Sequence, residues 1–464
     1  MTVNAGVLNS KLSTVISGPI RQLLFKPAEM DPLGYSAANL PPGVAFNPST
    51  GVLSGSPIQA GTYAVSITGK SPGAVPLNFE INVAALDPGF VGAFQGWIER
   101  NKTLNRNLGS TVQITTTTRG AYSGRLVTGV TAIAFRGSLI ALPASSTSTH
   151  QTARILCVLP KTSVTLDVSL DGAGNMLAGS LSDGSANTVG IDGWRNVWPT
   201  TPGNADAFKG LHTFCLQHPN DTDESLPQGS GFGSLLVSPK SGISFITTSL
   251  SDGTKMSSAT FVGPNGEVLL YGSLYTNLGS VVGPLAIDSD NNVYGNPTWM
   301  RPDLSAKPAL TYRVGFGPIE LTVSGGLYVP PNKGALILGL SPGLDNAQLV
   351  FSSGGLSDGI SQTVTVTSLG SSSVLNRITA PVNLNQLHVN SLSVSTGEFS
   401  GSFLLPGASA ADATRRANFY GQLVQTPGGA ANGYGYFLLP KPPAAGQTMT
   451  TAPKLSGSLL LSAP

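Results

Sequence analysis

The stretch "GGLSDGISQTVTVTS", residues 354–368, carries two readings that lead to different folds. Gly355-Leu356-Ser357-Asp358-Gly359 spells G-x-S-x-G, the nucleophile elbow of α/β hydrolases. That serine works where a strand turns sharply into a helix, with nearby amides forming an oxyanion hole. The residues after Gly359 alternate instead, with Val364 and Val366 set between threonines, which is the period of a strand. The one histidine after Asp358 is His388, in "NLNQLHVNSLSV", itself strand-like. Leu-Ser-Asp-Gly also occurs at 181–184 and 250–253, without the leading glycine. Asp-Gly between alternating segments is a hairpin signal. The stretch predicts a turn between strands, with Asp358-Gly359 selected for backbone geometry and Ser357 dispensable.

The same alternation recurs along the chain. In "VTLDVSLD" Val164, Leu166, Val168 and Leu170 share one face, and Thr165, Asp167, Ser169 and Asp171 the other. "TYAVSIT" repeats it with Tyr63, Val65 and Ile67. Turn signals such as Asn265-Gly266, Asp252-Gly253 and "DGAGN" (171–175) separate the segments. Composition agrees: among 464 residues there are 57 Gly and 34 Pro, and charged residues make up 10%. Soluble globular chains carry about 25% charge. The low charge fits an all-β secreted or surface protein, and 40% hydrophobic residues exclude the signature of disorder. A net charge of +2 without a basic stripe argues against nucleic acid. No apolar run reaches the length of a membrane helix. The start lacks a basic region followed by an apolar run, so the chain reads as a mature or excised fragment without a leader.

The first 85 or so residues stand apart. In "LPPGVAFNPSTGVLSGSPIQAGTYAVSITG" (40–69), Pro41-Pro42-Gly43 makes a rigid turn. Phe46 and Val52 are spaced to enter a core. Asn47, Ser49 and Thr50 can bond local backbone while Gly51 takes the unusual dihedral. Position by position the stretch matches L-P-x-G-V/L-x-F/L-N/D-x-x-T-G-x-L/I-x-G-S/T-P-x-x-x-G-x-Y. It thus closely resembles the "putative Ig", or cadherin-like, family of bacterial surface proteins. The resemblance implies an immunoglobulin-type sandwich of seven strands serving as a spacer or adhesion module. Cadherin relatives hold calcium between domains with acidic clusters. The junction here offers only Asp87, so calcium is not carried over.

"NVAALDPGF" (82–90) reads as a linker, giving an Ig-like domain over 1–85 and a large antiparallel β region over 86–464, a barrel or sandwich. Loose repeats suggest two similar halves, about 90–205 and 206–464. G-x-Y/F-S-G occurs as "GAYSG" and "GEFSG", and "GFGSLLVSP" echoes "GYGYFLLP" and "GSFLLP". The Leu-Ser-Asp-Gly copies start 69 and 106 residues apart, unlike the fixed period of a propeller or solenoid. This region also resembles uncharacterised Gly-aromatic β repeats that come after such Ig-like modules in large bacterial secreted proteins.

Candidate sites are few. "GWRNVW" offers Trp194 and Trp198 with Asp192 and Arg195, and "NPTWMRP" offers Trp299 beside Arg301. Exposed tryptophan faces with polar forks would form a sugar platform; the other reading is Trp in a core. "IDSDNN" places Asp288, Asp290 and Asn292 at alternate positions, as calcium loops do, but Val293 stands where an EF-hand needs Gly. Cys157 and Cys215, both in apolar strand-like segments, are either one disulfide or two buried thiols. No catalytic constellation is present. The expectation is a non-catalytic extracellular or cell-surface module for adhesion, binding or structure, without a cofactor. Its expected partners are a surface polysaccharide, other surface proteins, or a second copy paired through strand edges. The alternative is a carbohydrate-binding module or carbohydrate-active enzyme using exposed Trp.

Overall fold

The structure, a computed structural model, describes residues 2–4, 11–26, 31–144, 150–198, 204–219, 223–240, 242–305, 311–370, 375–383, 385–406, 414–426 and 431–464. Among these residues it is all-β, with strands, short 3-10 turns and no α-helix. Two compact units form, Met1–Val197 and Trp198–Pro464.

The N-terminal domain contains β1 (Thr2–Asn4), β2 (Lys11–Val15), β3 (Ile20–Lys26), β4 (Tyr35–Ala38), β5 (Val44–Asn47), β6 (Val52–Gly55), β7 (Gly61–Gly69) and β8 (Leu77–Ala84). They form two four-stranded sheets, β1-β3-β6-β5 and β2-β8-β7-β4, so the sandwich has one strand more than the expected seven. Val65, Ile67, Ile81 and Val83 alternate inward from β7 and β8 onto Leu53. The motif residues act as their chemistry dictates. Asn47 Oδ1 accepts the amides of Ser49 (3.0 Å) and Thr50 (3.1 Å), and Gly51 lies at φ +69°. Gly43 also has positive φ, and a Cβ there would lie 2.3 Å from the Ser56 carbonyl oxygen.

The expected linker is clamped. Asp87 Oδ1 accepts Gly89 N (2.7 Å) at the start of a 3-10 turn over Pro88–Phe90. Gln151 Oε1 accepts Asp87 N (2.9 Å), and its Nε2 donates to the Ala85 carbonyl (2.8 Å). Phe90 is fully buried, and the sandwich and the following strands share one apolar core.

Those strands are β9 (Gly92–Ile98), β10 (Ser110–Thr116), β11 (Ala121–Thr128), β12 (Thr131–Ser138), β13 (Ile140–Leu142), β14 (Thr152–Val158), β15 (Thr165–Asp171), β16 (Met176–Ser182) and β17 (Thr188–Arg195). They run as an antiparallel meander in which β17 returns to pair with β9, Ile191 opposite Ile98. The unpaired ends of the sheet are β12 and β13, which are consecutive in the chain. The result is a near-closed ring.

The second unit repeats this plan twice. Its first ring has β18 (Gly210–Gln217), β19 (Gly231–Val237), β20 (Ile243–Ser249), β21 (Lys255–Phe261), β22 (Glu267–Leu274), β23 (Gly279–Ile287), β24 (Asn292–Gly295), β25 (Thr298–Arg301), β26 (Phe316–Glu320) and β27 (Thr322–Leu327). Here β27 closes onto β18, and β25–β26 is a side hairpin on β23. The second ring has β28 (Ala347–Ser353), β29 (Ile360–Ser368), β30 (Asn376–Thr379), β31 (His388–Leu392), β32 (Glu398–Leu405), β33 (Arg415–Val424), β34 (Asn432–Pro440) and β35 (Lys454–Ser462), and β35 closes onto β28. The expected second half, 206–464, therefore holds two rings.

One device recurs in all three rings. A strand glycine faces an aromatic ring on the neighbouring strand in direct register: Gly124 with Phe135, Gly233 with Phe214, Gly401 with Phe419, Gly421 with Phe399, and Gly457 with Phe437. In each pair a Cβ on the glycine would lie within 2.6 Å of that ring. The rings fold across bare backbone and fill the interior, so glycine is required for space. In the third ring Phe351, Phe403, Phe419 and Phe437 form a cluster with centroids 4.6–6.0 Å apart.

The 354–368 stretch lies in a strand–turn–strand, β28 into β29, with a strand where an elbow needs a helix. Its backbone demands differ from those expected. Positive φ falls on Ser353, Gly354 and Gly355, not on Gly359. A Cβ on Gly354 would lie 2.6 Å from Gly457 Cα, whereas one on Gly359 meets only the Phe351 carbonyl oxygen at 3.3 Å. In the other two copies Gly184 and Gly253 do take positive φ.

Candidate functional site

The three tryptophans that would have formed a sugar platform are buried: Trp194 at 2%, Trp198 at 8% and Trp299 at 1% exposure. Trp198 Nε1 donates to the Val262 carbonyl (2.7 Å) and its ring meets Phe208 edge-on. Trp299 Nε1 donates to Tyr275 OH (3.0 Å), against Phe316. With no face open for stacking, that platform has no basis. Arg195 is tied to backbone and to Asn175 through Nη1–Val91 O and Nε–Asn175 Oδ1 (both 2.8 Å), while Asp192 stays exposed.

The calcium candidate is a turn. Asp288 Oδ1 accepts the amides of Asp290 and Asn292 (both 2.9 Å), and Oδ2 accepts Asn292 Nδ2 (2.9 Å). These bonds, the Asn292 side chain's first, hold the Asp288 carboxyl below its ordinary pKa. Cys157 and Cys215, one in each unit, are free thiols in the structure. Burial pushes the Cys215 thiol up to about 11, and its Sγ donates to the Ser324 carbonyl.

Arg301, singled out beside Trp299, has another task. The middle Leu-Ser-Asp-Gly copy places Asp252 in the β20–β21 turn, where its fully buried carboxylate pairs with Arg301 Nη1. Tyr275 OH also donates to Asp252 Oδ2 (2.7 Å), and Thr254 N to Oδ1 (2.9 Å). Arg301 further donates to the carbonyls of Tyr312 (3.1 Å) and Thr311 (2.6 Å), and its guanidinium lies 4.5 Å from the Tyr275 ring centroid. Tyr312 OH accepts Ser456 N (3.0 Å), which ties this hub to β35. Asp183 and the exposed Asp358 sit in solvent-facing turns, so three identical tetrapeptides occupy different environments.

Beside the hub, the outer faces of the two rings of the second unit meet along two cross-strand rows. Phe232, Ser249 and Lys255 form one, and Ser391, Ser400, Tyr420 and Tyr436 the other. Phe232 stacks on Tyr436 at 6.0 Å, Ser249 Oγ bonds Tyr436 OH (2.7 Å), and Lys255 Nζ stands 5.8 Å from the Tyr420 centroid. Where the rows diverge they leave a cleft of about 660 Å³. Thr247 and Ser257 line one wall, with Ser391, Glu398, Ser400 and Tyr420 on the other. Sequence reasoning passed over these residues. The signal was the outward alternation of hydroxyls in "ISFITTS" and "KMSSATF", which reads as plain strand surface until a second sheet faces it.

Residues 2–84 match the family model described as Putative Ig domain. No curated protein matches the chain. Among solved structures, a protein of unknown function from the DUF3598 family of Nostoc punctiforme PCC 73102 matches over 52% of this chain and 97% of its own. Its identity is 9% and its TM-score 0.14, too low to carry an argument. No described helix is long and apolar enough to cross a membrane.

Proposed function

We propose that the chain is a non-catalytic extracellular or cell-surface β module: an Ig-like domain joined to antiparallel rings that offers binding surface, with no cofactor. Its partner classes are a surface polysaccharide, another surface protein, or a second copy paired through a strand edge. The observation that carries this reading is the filling of the rings by their own aromatic side chains across strand glycines, which leaves outer faces to make contacts. Support also comes from the Ig-like match at the N-terminus and from the placement of Ser357, exposed in a turn that leads into a strand. His388, the expected partner of such a serine, bonds Asn390 through Nδ1.

The test couples the purified chain to beads and measures retention on cell-surface polysaccharide and protein, alongside turnover of ester, peptide and glycoside substrates. Retention without turnover, unchanged by EDTA, is expected. Turnover that co-purifies with the chain and disappears in Ser357→Ala or Glu398→Gln would overturn the reading. A carbohydrate-binding role is the second reading, favoured by the hydroxyl-lined cleft in place of the buried tryptophans.

A further inference from the structure

The geometry points to the cleft between the β19–β21 and β31–β33 faces as a binding site for a short, uncharged oligosaccharide. The inference rests on the reading of this chain as a binding module. Its volume, about 660 Å³, lies within the range of small-ligand sites, ~300–1,000 Å³. Its walls suit a polyol. A hydroxyl both donates and accepts, as sugar hydroxyls do, and the walls carry them in pairs. Thr247 Oγ1 bonds Ser234 Oγ, a neighbour outside the lining, at 2.8 Å on one side, and Ser391 Oγ bonds Ser400 Oγ, both in the lining, at 2.7 Å on the other. Each pair is exposed and keeps further donor and acceptor capacity for a ligand.

The second wall also carries Tyr420, half-buried, with the Lys255 ammonium 5.8 Å from its ring centroid. Tyr420 and Lys255, both lining the cleft, bring a phenol that donates and accepts and an ammonium with three donors, which sugar hydroxyls can meet. The floor is fixed by the Phe232–Tyr436 stack and the Ser249–Tyr436 bond, so the walls are held in place before a ligand arrives. Among the described residues of the lining, Lys255 is the one cation and Glu398 the one carboxylate, which favours an uncharged ligand over an anionic one, and glycoside hydrolysis uses two carboxylates roughly 5–10 Å apart.

The test screens the full chain on an array of neutral oligosaccharides and takes the strongest ligand to calorimetry. Tyr420→Ala should weaken binding at least about tenfold, the equivalent of ~1.4 kcal/mol. The double variant Thr247→Val/Ser400→Ala, which removes a hydroxyl from each wall with little change of shape, should do the same. Phe245→Ala, on the outer face away from the cleft and 55% exposed, should bind as wild type. Circular dichroism checks the fold, and the double variant decides if Tyr420→Ala unfolds. Absence of any neutral oligosaccharide ligand, or affinity within about twofold of wild type in the folded double variant, overturns the site. Bead retention that persists in the cleft variants would then show that the module reading survives without this cleft. Glycoside turnover lost in Glu398→Gln would instead defeat the module reading itself.

Discussion

Asp252→Ala should destabilise the second unit far more than the same change in either sister motif. The side chains of Asp252 and Arg301 are 0% and 5% exposed. Removing the carboxylate deletes one ionic bond and the bonds from Tyr275 OH and Thr254 N. It leaves the guanidinium buried with two carbonyls and the Tyr275 ring as partners. The dominant cost is the stranded charge, because neutral hydrogen bonds contribute only about 1 kcal/mol each. Breaking a buried pair from one side costs roughly 3–5 kcal/mol. For a unit of this size that is on the order of 6–20 °C in Tm. Asp183→Ala and Asp358→Ala, in exposed turns, should stay within about 1 kcal/mol of wild type. The assay is urea unfolding monitored by circular dichroism, with thermal melts alongside. Asp252→Leu/Arg301→Met removes both charges and should recover most of the loss, since an apolar replacement of a buried pair is often neutral. An Asp252→Ala protein within about 1 kcal/mol of wild type would refute the reasoning, as would a double variant less stable than the single one.

Gly354→Val combines a positive φ with a Cβ 2.6 Å from Gly457 Cα, so it should cost about 3 kcal/mol or more, whereas Gly359→Val should cost about 1 kcal/mol; equal losses by denaturant titration would contradict this. Gly457→Ala places its Cβ 2.1 Å from Phe437 Cζ and should cost about 1–3 kcal/mol, partly relieved by Phe437→Leu in a double-mutant cycle. Burial raises the phenol pKa of Tyr275 and Tyr436, and pushes those of Tyr122 and Tyr328 up to about 12. That stabilisation is fully present below the unfolded value near 10 and is lost as pH rises through the folded values. Tyrosinate absorbance and far-UV circular dichroism should therefore change together; phenol ionisation completed with the fold intact would be the contrary result. Cys215 should resist alkylation at pH 8 in the native chain, and 2 thiols should titrate after unfolding without reductant; a count of zero without reductant would restore the disulfide.

The parts legible in sequence are those fixed by local chemistry. The Ig-like hairpin could be read because Asn47, Gly51 and Gly43 meet their constraints within a few residues. Strand faces could be read because the period of two is local: Leu166, Val168 and Leu170 are all buried, as the alternation required. Ring closure was not legible, because β9 meets β17 across most of a ring and no local signal marks that pairing. The Leu-Ser-Asp-Gly copies misled for the same reason. They occupy turns at different places in their rings, β16–β17, β20–β21 and β28–β29, so their unequal spacing says nothing about the repeat. What decides the fate of each aspartate is the residue brought to it: Arg301, 49 positions away, for Asp252. Trp194, Trp198 and Trp299 stayed open between core and surface in the sequence, because polar neighbours in sequence are not neighbours across a sheet.

The glycine–aromatic motif unites these observations. A small ring of strands has room inside for large side chains only if something opposite them is small, and a strand glycine weakens the sheet unless its bare backbone is covered. Pairing each glycine with a phenylalanine in register meets both demands at once. The repeat is thus a closure device, tolerant of loop length and of strand number. Its consequence is functional. A ring filled by its own side chains presents only outer faces, and outer faces of strands are rows of alternating hydroxyls and occasional aromatics. When two such rings lie face to face, as at Phe232 and Tyr436, the rows that do not touch become the walls of a cleft. In the second unit this is how the cleft beside Phe232 and Tyr436 arises, its two walls coming from outward rows of two rings that face each other.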